Sequence, residues 1–166
     1  MHGLLQTEDY ARALLSALRV EDTRNTVEKL VDFRMARQAQ LTRAGTPLRL
    51  WVILEEEVLK RPVGGRAVMQ AQLQGILESA EEPAITVQVL PTSRGAHAGL
   101  DGSFSLFEFP DPGDPDVAYV GGPVGTVFVE KFEDVKRFAI RFDHLRAAAL
   151  DIGQSADLIA RAARDM

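Results

Sequence analysis

The chain contains no cysteine, one tryptophan among 166 residues, and fewer basic than acidic side chains. Without cysteine, disulfides and thiolate metal sites are excluded, which fits a protein of the reducing cytoplasm. The 19 lysines and arginines are outnumbered by 24 aspartates and glutamates, which gives a net charge of −5. Because nucleic-acid-binding modules usually carry a basic face, we expect no direct contact between this chain and nucleic acid.

Long apolar runs are also absent. No stretch approaches the ~20 residues that a membrane span needs, and Met1 to Leu5 lack the basic start and apolar core of a signal peptide. We therefore expect a cytoplasmic protein without membrane contact, whose abrupt start is typical of an entry into the middle of a longer chain.

The sequence has no phosphate loop, no dinucleotide turn, no nucleophile elbow and no histidine pair at metal spacing. We therefore predict no cofactor, no metal site and no catalytic residue.

Apolar spacing and capping residues predict five helices. Thr7 followed by Glu8 and Asp9 is typical of a helix start, because a hydroxyl cap and early acids suit the N-terminal end. Asn25 and Glu28 resemble a capping box for the second helix. The predicted helices are approximately 8–19, 26–43, 66–79 and 135–149, with a short fifth helix capped by Ser155.

Five strands are predicted at 48–54, 85–89, 104–109, 117–120 and 126–129. The first is nearly all apolar and includes Trp51, so we expect a strand covered on both faces with the indole in the core. The second alternates, which favours one buried face. Gly121-Gly122-Pro123 predicts a hairpin between the last two strands. The fold class is α+β. A single domain, 1–166, should hold a five-stranded mixed, mainly antiparallel sheet with helix 66–79 as its crossover, flanked by two N-terminal and one or two C-terminal helices.

The second helix has the most unusual pattern. Val27, Leu30, Val31, Phe33, Met35 and Leu41 define a broad apolar arc, and Arg34, Arg37 and Gln38 fall within it. Because an unpaired charge is costly to bury, the two arginines should pair with carboxylates or reach a ligand. Glu55, Glu56 and Glu57 are the candidate partners for a structural ion pair. The functional alternative is a clamp for a carboxylate or a phosphate, which guanidinium groups bind through two parallel hydrogen bonds.

The segment from Ser93 to Gly102 is a long loop that contains Arg94, His97 and Asp101. Long loops in compact domains often carry function, and a histidine can titrate near neutral pH or orient a ligand. The loop is therefore either a lid over a small-molecule pocket or an ordinary surface loop whose glycines serve turns. Gly64-Gly65 could present N–H groups to an anion, although a glycine at a helix start is common without any ligand.

Several segments taken together resemble a known family. They are Gly3 to Ala13, Arg34 to Gln38, Arg49 to Glu56, Arg61 to Gly65, Val87 to Pro91, Gly95 to Gly99, Phe104 to Pro110 and Asp116 to Val120. Their order and spacing are similar to the domain of unknown function that follows an Xre-type helix-turn-helix in actinobacterial transcription regulators. The resemblance extends from Leu4 to about Ala149.

The resemblance implies a two-part protein in which a helix-turn-helix domain precedes Gly3 and this domain regulates it. It also implies a small protein partner encoded nearby, and it supplies no settled ligand or catalytic residue. Family members usually carry a glutamate after the Tyr-Val of the fourth strand, where this chain has Gly121, so a role for that glutamate is in doubt here.

We therefore expect a regulatory domain that binds a small molecule or a small protein and changes DNA binding by the attached domain. The candidate binding residues are Arg34, Arg37, Gln38, Glu55, Glu56, Arg94, His97 and Asp101. Two alternatives remain open. One is a transferase-like enzyme acting on a nucleotide or phosphorylated substrate, which requires these groups to converge in one pocket. The other is a dimerisation module, since Xre-type proteins usually read paired half-sites as homodimers.

Overall fold

A computed structural model describes residues 1–43, 45, 47–111, 113–122 and 125–166. The chain divides into two compact units. The first unit comprises Met1–Thr92 and Leu150–Met166, and the second unit comprises Ser93–Ala149. Among the described residues, no helix combines the length and the apolar character needed to cross a membrane.

The first unit begins with two packed helices, α1 (Glu8–Leu18) and α2 (Arg24–Gln38). Thr7 caps α1 as predicted, and its hydroxyl accepts from the Tyr10 N–H. The prediction for α2 was wrong at both ends, because Thr23 rather than Asn25 supplies the capping oxygen and the helix ends at Gln38. Leu15, Val27 and Val31 are buried between the two helices, whereas Phe33 is exposed. The apolar arc of α2 is therefore narrower than its sequence indicates.

A β-α-β unit follows. It consists of β1 (Leu50–Glu55), the short helix α3 (Glu56–Lys60), α4 (Arg66–Ser79) and β2 (Ile85–Leu90). The two strands pair in parallel from Leu50↔Ile85 to Glu55↔Leu90, so the prediction of a crossover helix at 66–79 is confirmed. Gly64, in the turn before α4, has φ 73°, and an added Cβ would lie 2.9 Å from the Val68 side chain. This glycine therefore has a clear conformational role in the turn.

The prediction of one five-stranded sheet was wrong. The structure has a two-stranded parallel sheet in the first unit and a three-stranded antiparallel sheet in the second. The edge of β2 away from β1 is already occupied: the Val89 N–H donates to the Ser155 hydroxyl (2.9 Å), and the Val89 carbonyl accepts from the Leu150 N–H (2.9 Å). Because these bonds satisfy the backbone groups that another strand would need, β2 cannot extend the sheet on that side.

The core of the first unit lies between the parallel strands, α4 and the C-terminal helix α6 (Ile152–Asp165). Asp151 caps α6, so the prediction that Ser155 caps it was wrong. Trp51 is 41% exposed and its indole N–H donates to Gln88 Oε1 (2.8 Å), so the prediction of a buried indole and of a strand covered on both faces was also wrong. The largest apolar side chains with no exposure are Met69, Leu73 and Ile76 of α4.

The second unit contains β3 (Ser105–Phe107), β4 (Val117–Gly122), β5 (Gly125–Val129) and α5 (Phe132–Ala148). The strands are antiparallel in the order β3-β4-β5, with Leu106↔Ala118 and Ala118↔Val129 as paired residues. The antiparallel pairing predicted for β4 and β5 is confirmed, and Pro123 of the predicted turn lies outside the described residues. The Phe104 and Phe138 rings pack 5.1 Å apart, which seats α5 on the sheet.

Candidate functional site

The sequence-predicted residues of α2 hold the N-terminal segment of the first unit in place. Arg34 Nη1 donates to the side-chain oxygen of buried Gln6 (2.5 Å), and the Gln38 amide donates to the Gln6 carbonyl (2.6 Å). Gln72 of α4 holds the same segment from a fully buried position: it donates to the Leu5 carbonyl (2.6 Å) and accepts from the Thr7 N–H (2.8 Å). We call Gln6, Arg34, Gln38 and Gln72 the glutamine network.

The predicted pairing of Arg34 and Arg37 with Glu55, Glu56 or Glu57 was wrong. Arg34 donates to a neutral amide instead, and no carboxylate pairs with it among the residues that the structure describes. Its pKa is lowered from the ordinary value by burial and by the nearby charges of Arg37 and Arg19. A guanidinium stays protonated even so, which leaves α2 with a half-buried positive charge.

Arg37 and Gln38 are consecutive residues of α2 that contact different partners. The Arg37 guanidinium lies over the exposed Phe33 ring, 5.4 Å from its centroid, which is cation–π distance. Gln38 belongs to the glutamine network. The two predicted arginines therefore do not form one clamp: Arg34 donates to buried Gln6, and Arg37 is exposed on the helix surface.

The glutamates after β1 form a separate, solvent-exposed cluster with Lys60 and Thr92. Lys60 Nζ lies 3.0 Å from Glu56 and 2.9 Å from Glu57. Glu56 also accepts from the Thr92 N–H and Glu57 from the Thr92 hydroxyl, each at 2.9 Å. The Thr92 backbone bond and Lys60 hold the pKa of Glu56 below its ordinary value. Glu55 ends β1 and is exposed. These contacts join α3 to Thr92 in the segment that follows β2.

The loop from Ser93 to Gly102, interpreted from sequence as either a lid or an ordinary surface loop, contributes to a cleft in the second unit. The cleft has a volume of about 360 Å³ and is lined by Arg94, Ala96, His97, Ala98, His144 and Ala148. We call it the histidine cleft. Its volume falls within the roughly 300–1,000 Å³ of small-molecule sites. Arg94 Nε donates to the Ala148 carbonyl at the end of α5 (2.8 Å), so one guanidinium N–H anchors the loop to the helix.

The two imidazoles of the histidine cleft come from different elements. His97 Nδ1 accepts from the Gly99 N–H (3.2 Å) within the loop. A neutral imidazole that accepts at Nδ1 carries its proton on Nε2, so this bond selects one tautomer. His144 lies one helical turn before Ala148, and residues four apart share a helix face. The cleft thus combines a guanidinium and two imidazoles with three alanine methyl groups.

Asp101, the remaining predicted loop residue, forms an ion pair with Arg141 of α5 (2.8 Å). Its charge is therefore matched by an arginine that does not line the cleft.

A second cavity, of about 380 Å³, lies between α4 and α6 of the first unit, where alanines and glutamines predominate among its lining residues. Within the described part of the chain, no group of three or more histidines and carboxylates could hold a metal ion.

The sequence-predicted residues therefore belong to two different units. Arg34, Arg37, Gln38, Glu55 and Glu56 belong to the first unit, and Arg94, His97 and Asp101 belong to the second. His144 was missed, because the sequence shows it as an isolated histidine on a predicted helix. The sequence signal that could have identified His144 is its four-residue spacing from Ala148. That spacing becomes meaningful only because Arg94 donates to the Ala148 carbonyl, a contact that the fold reveals.

Comparison with known proteins identifies the family of this chain. The family model of DUF5753, a domain of unknown function, matches residues 1–161. No curated protein and no solved structure matches the chain. Because the family match covers almost the whole sequence, the chain belongs to the DUF5753 family.

Proposed function

We propose that this chain is the sensor domain of a helix-turn-helix transcription regulator and that it binds a small anionic molecule in the histidine cleft. The single observation that carries the ligand assignment is the meeting of Arg94, His97 and His144 around one cavity. The regulatory role is supported by the resemblance to domains that follow an Xre-type helix-turn-helix. The excess of acidic residues further favours a partner or ligand other than DNA for this domain.

The chemistry of the cleft favours a ligand with a phosphate or carboxylate group. Arg94 uses Nε to bind Ala148, and its two terminal nitrogens are the donors that suit a bidentate contact with an anion. Imidazole N–H groups add further donors, and Ala96, Ala98 and Ala148 offer methyl surface to the rest of the molecule. Because one wall of the cleft is a loop and the other is α5, binding of a ligand can change the position of the loop.

Inorganic phosphate is the simplest probe of this proposal. The chain has three histidines, and His2 belongs to the first unit. In a phosphate titration at constant ionic strength and pH, the imidazole NMR signals of His97 and His144 should move together while the His2 signal stays in place. Arg94→Ala should weaken the phosphate affinity by about tenfold or more, because a charge-assisted hydrogen bond contributes about 1.5–3 kcal/mol.

The matched control is Arg137→Ala. Arg137 is an exposed arginine of α5 that pairs with Asp134, so its loss removes the same charge without touching the cleft. Equal movement of all three histidine signals, or equal weakening by both arginine variants, would overturn the proposed site. The regulatory role is tested in the two-part protein that the resemblance implies. There the ligand should change DNA affinity, and Arg94→Ala should remove that change.

A further inference from the structure

The outer face of the antiparallel sheet in the second unit is aromatic. Phe107 of β3 is opposite Val117, and Tyr119 of β4 is opposite Phe128 of β5. Because alternate strand residues share a face, these four side chains point the same way. The Tyr119 and Phe128 rings meet edge to face with centroids 5.5 Å apart, yet Phe128 is 62% and Phe107 44% exposed. We call Phe107, Val117, Tyr119 and Phe128 the aromatic face.

The opposite face of the same sheet packs against α5. Ala118 of β4 is fully buried, and its neighbour Leu106 of β3 points the same way. Phe104, two residues before Leu106, packs on Phe138 of α5. One face of the sheet therefore meets the helix, and the aromatic face keeps large apolar rings in solvent. Contiguous exposed apolar surface of this kind often marks an interaction site.

The segment that contains the three strands of the aromatic face carries acidic residues and no basic ones. Residues 95–130 contain no lysine or arginine, although they include six acids: Asp101, Glu108, Asp111, Asp114, Asp116 and Glu130. Four of the six, from Glu108 to Asp116, lie in the connection between β3 and β4. Phe109 in that connection is 47% exposed. The β3–β4 connection, which adjoins the strands that carry these rings, therefore holds four negative charges and no positive charge.

We propose that the aromatic face is a docking surface for a protein partner that presents arginine or lysine next to apolar side chains. Guanidinium groups suit both parts of such a surface, since they bind carboxylates and also stack on aromatic rings. A patch of one charge sign steers an oppositely charged partner and rejects like-charged ones. This surface is distinct from the histidine cleft, and the inference goes beyond the ligand proposed there.

The acids argue against other occupants. Nucleic acid and anionic membrane surfaces carry negative charge and would be repelled. A second copy of this chain related by two-fold symmetry would place the same acidic connection near its own image, because a two-fold interface brings the same patch together from both subunits. A cationic polypeptide meets neither obstacle.

The test uses two short synthetic peptides of equal length, one alternating arginine with valine and one alternating glutamate with valine. Binding is measured by the shifts of backbone amide NMR signals in this chain. The arginine peptide should shift the signals of the three strands and of the β3–β4 connection, and the glutamate peptide should leave them in place. Phe128→Thr should weaken binding of the arginine peptide by about tenfold, which is the effect of losing one interface anchor.

Matched variants separate the surface from the fold. Phe132→Thr removes an exposed ring of α5 that lies outside the aromatic face and should leave the affinity unchanged. The pair Glu108→Gln and Asp114→Asn should reduce both the affinity and its dependence on salt, whereas Glu81→Gln with Glu82→Gln removes the same charge from the first unit and should change neither. The inference is overturned if the arginine peptide does not bind, if both peptides bind equally, or if Phe128→Thr and Phe132→Thr have the same effect.

Discussion

The two units of this chain differ in what they bury and in what they expose. The first unit encloses Met69, Leu73 and Ile76 completely and fixes its N-terminal segment with buried glutamines. In the second unit, Ala118, Val135 and Leu145 are the buried apolar residues among those described, and several phenylalanines face solvent. Large buried cores resist local opening, and binding sites tend to occur in the less stable parts of a structure. The contrast predicts that the first unit is a stable framework and that the second unit opens more easily.

The strongest way to break the framework is to create a cavity in its core. Leu73→Ala should lower the free energy of unfolding by about 2–5 kcal/mol, because Leu73 has no exposed surface and its packing partners relax only partly. Urea unfolding followed by circular dichroism gives the value. Phe132→Ala in the second unit is the control, since its ring is 73% exposed and such surface changes usually stay within about 0.5 kcal/mol. Similar losses in both variants would contradict the burial of Leu73 in the core of the first unit.

Loss of the buried Gln72 amide should be the next largest effect. Gln72→Leu preserves much of the volume but leaves the Thr7 N–H and the Leu5 carbonyl without their partner. An unsatisfied buried backbone group costs about 1–3 kcal/mol, so the same unfolding measurement should show a loss of at least that size. Gln74→Leu on the same helix is the comparison variant. If the two substitutions are equivalent, the glutamine network does not stabilise the N-terminal segment.

Amide hydrogen exchange should distinguish the units directly. We expect the amides of β4 and β5 to exchange about tenfold or more faster than those of β1 and β2, because β5 is a mostly exposed strand and β2 is buried along almost its whole length. Exchange measured by mass spectrometry on peptic fragments resolves these segments. Equal protection of both sheets would show that the chain opens as one cooperative body.

The smallest effect concerns pH. Burial, then the N-terminal amine and Arg37, hold the pKa of His2 below its ordinary 6.5, so the folded state prefers the neutral imidazole. The unfolded chain takes up that proton at higher pH. The contribution of His2 to the free energy of unfolding is therefore complete above its pKa in the unfolded chain. It declines as the pH falls through 6.5 toward the lower pKa that His2 has in the folded chain. Comparing urea midpoints at about pH 8 and about pH 5 measures this decline.

His2→Asn provides the control for the pH effect. Asparagine is a good capping residue and can still accept a hydrogen bond from the Leu4 N–H, as His2 Nδ1 does, but it does not titrate. The stability of this variant should fall less between the two pH values than that of the unchanged chain. An identical fall would mean that His2 is not the group responsible.

Local sequence signals predicted most elements because they depend on near neighbours. Thr7 caps α1, helix 66–79 lies where its apolar spacing places it, and all five strands form. The division into two sheets was not predictable, since it depends on Leu150 and Ser155 meeting Val89 across more than sixty residues of sequence. Trp51 was assigned to the core because an apolar run does not reveal which face of a strand remains uncovered.

The candidate site followed the same pattern. The composition of the loop predicts that Arg94 and His97 lie on a long loop, and both residues line a cleft; their role in binding stays a prediction. Arg34 was predicted to need a partner, but the carboxylates were the wrong choice. The actual partner, Gln6, is a neutral residue just before the predicted start of α1, and the sequence predicts no role for it. Pairing across distant segments is set by the fold, which explains why His144 was missed.

The sensor proposal is tested most directly by native mass spectrometry of this chain after incubation with extract from its source cell. The unchanged chain and the Arg34→Ala variant should both retain a small molecule, since Arg34 belongs to the glutamine network and not to the histidine cleft. The double variant Arg94→Ala, His144→Ala should lose it. A chain that emerges without any added mass, or a ligand retained by the double variant, would contradict the account.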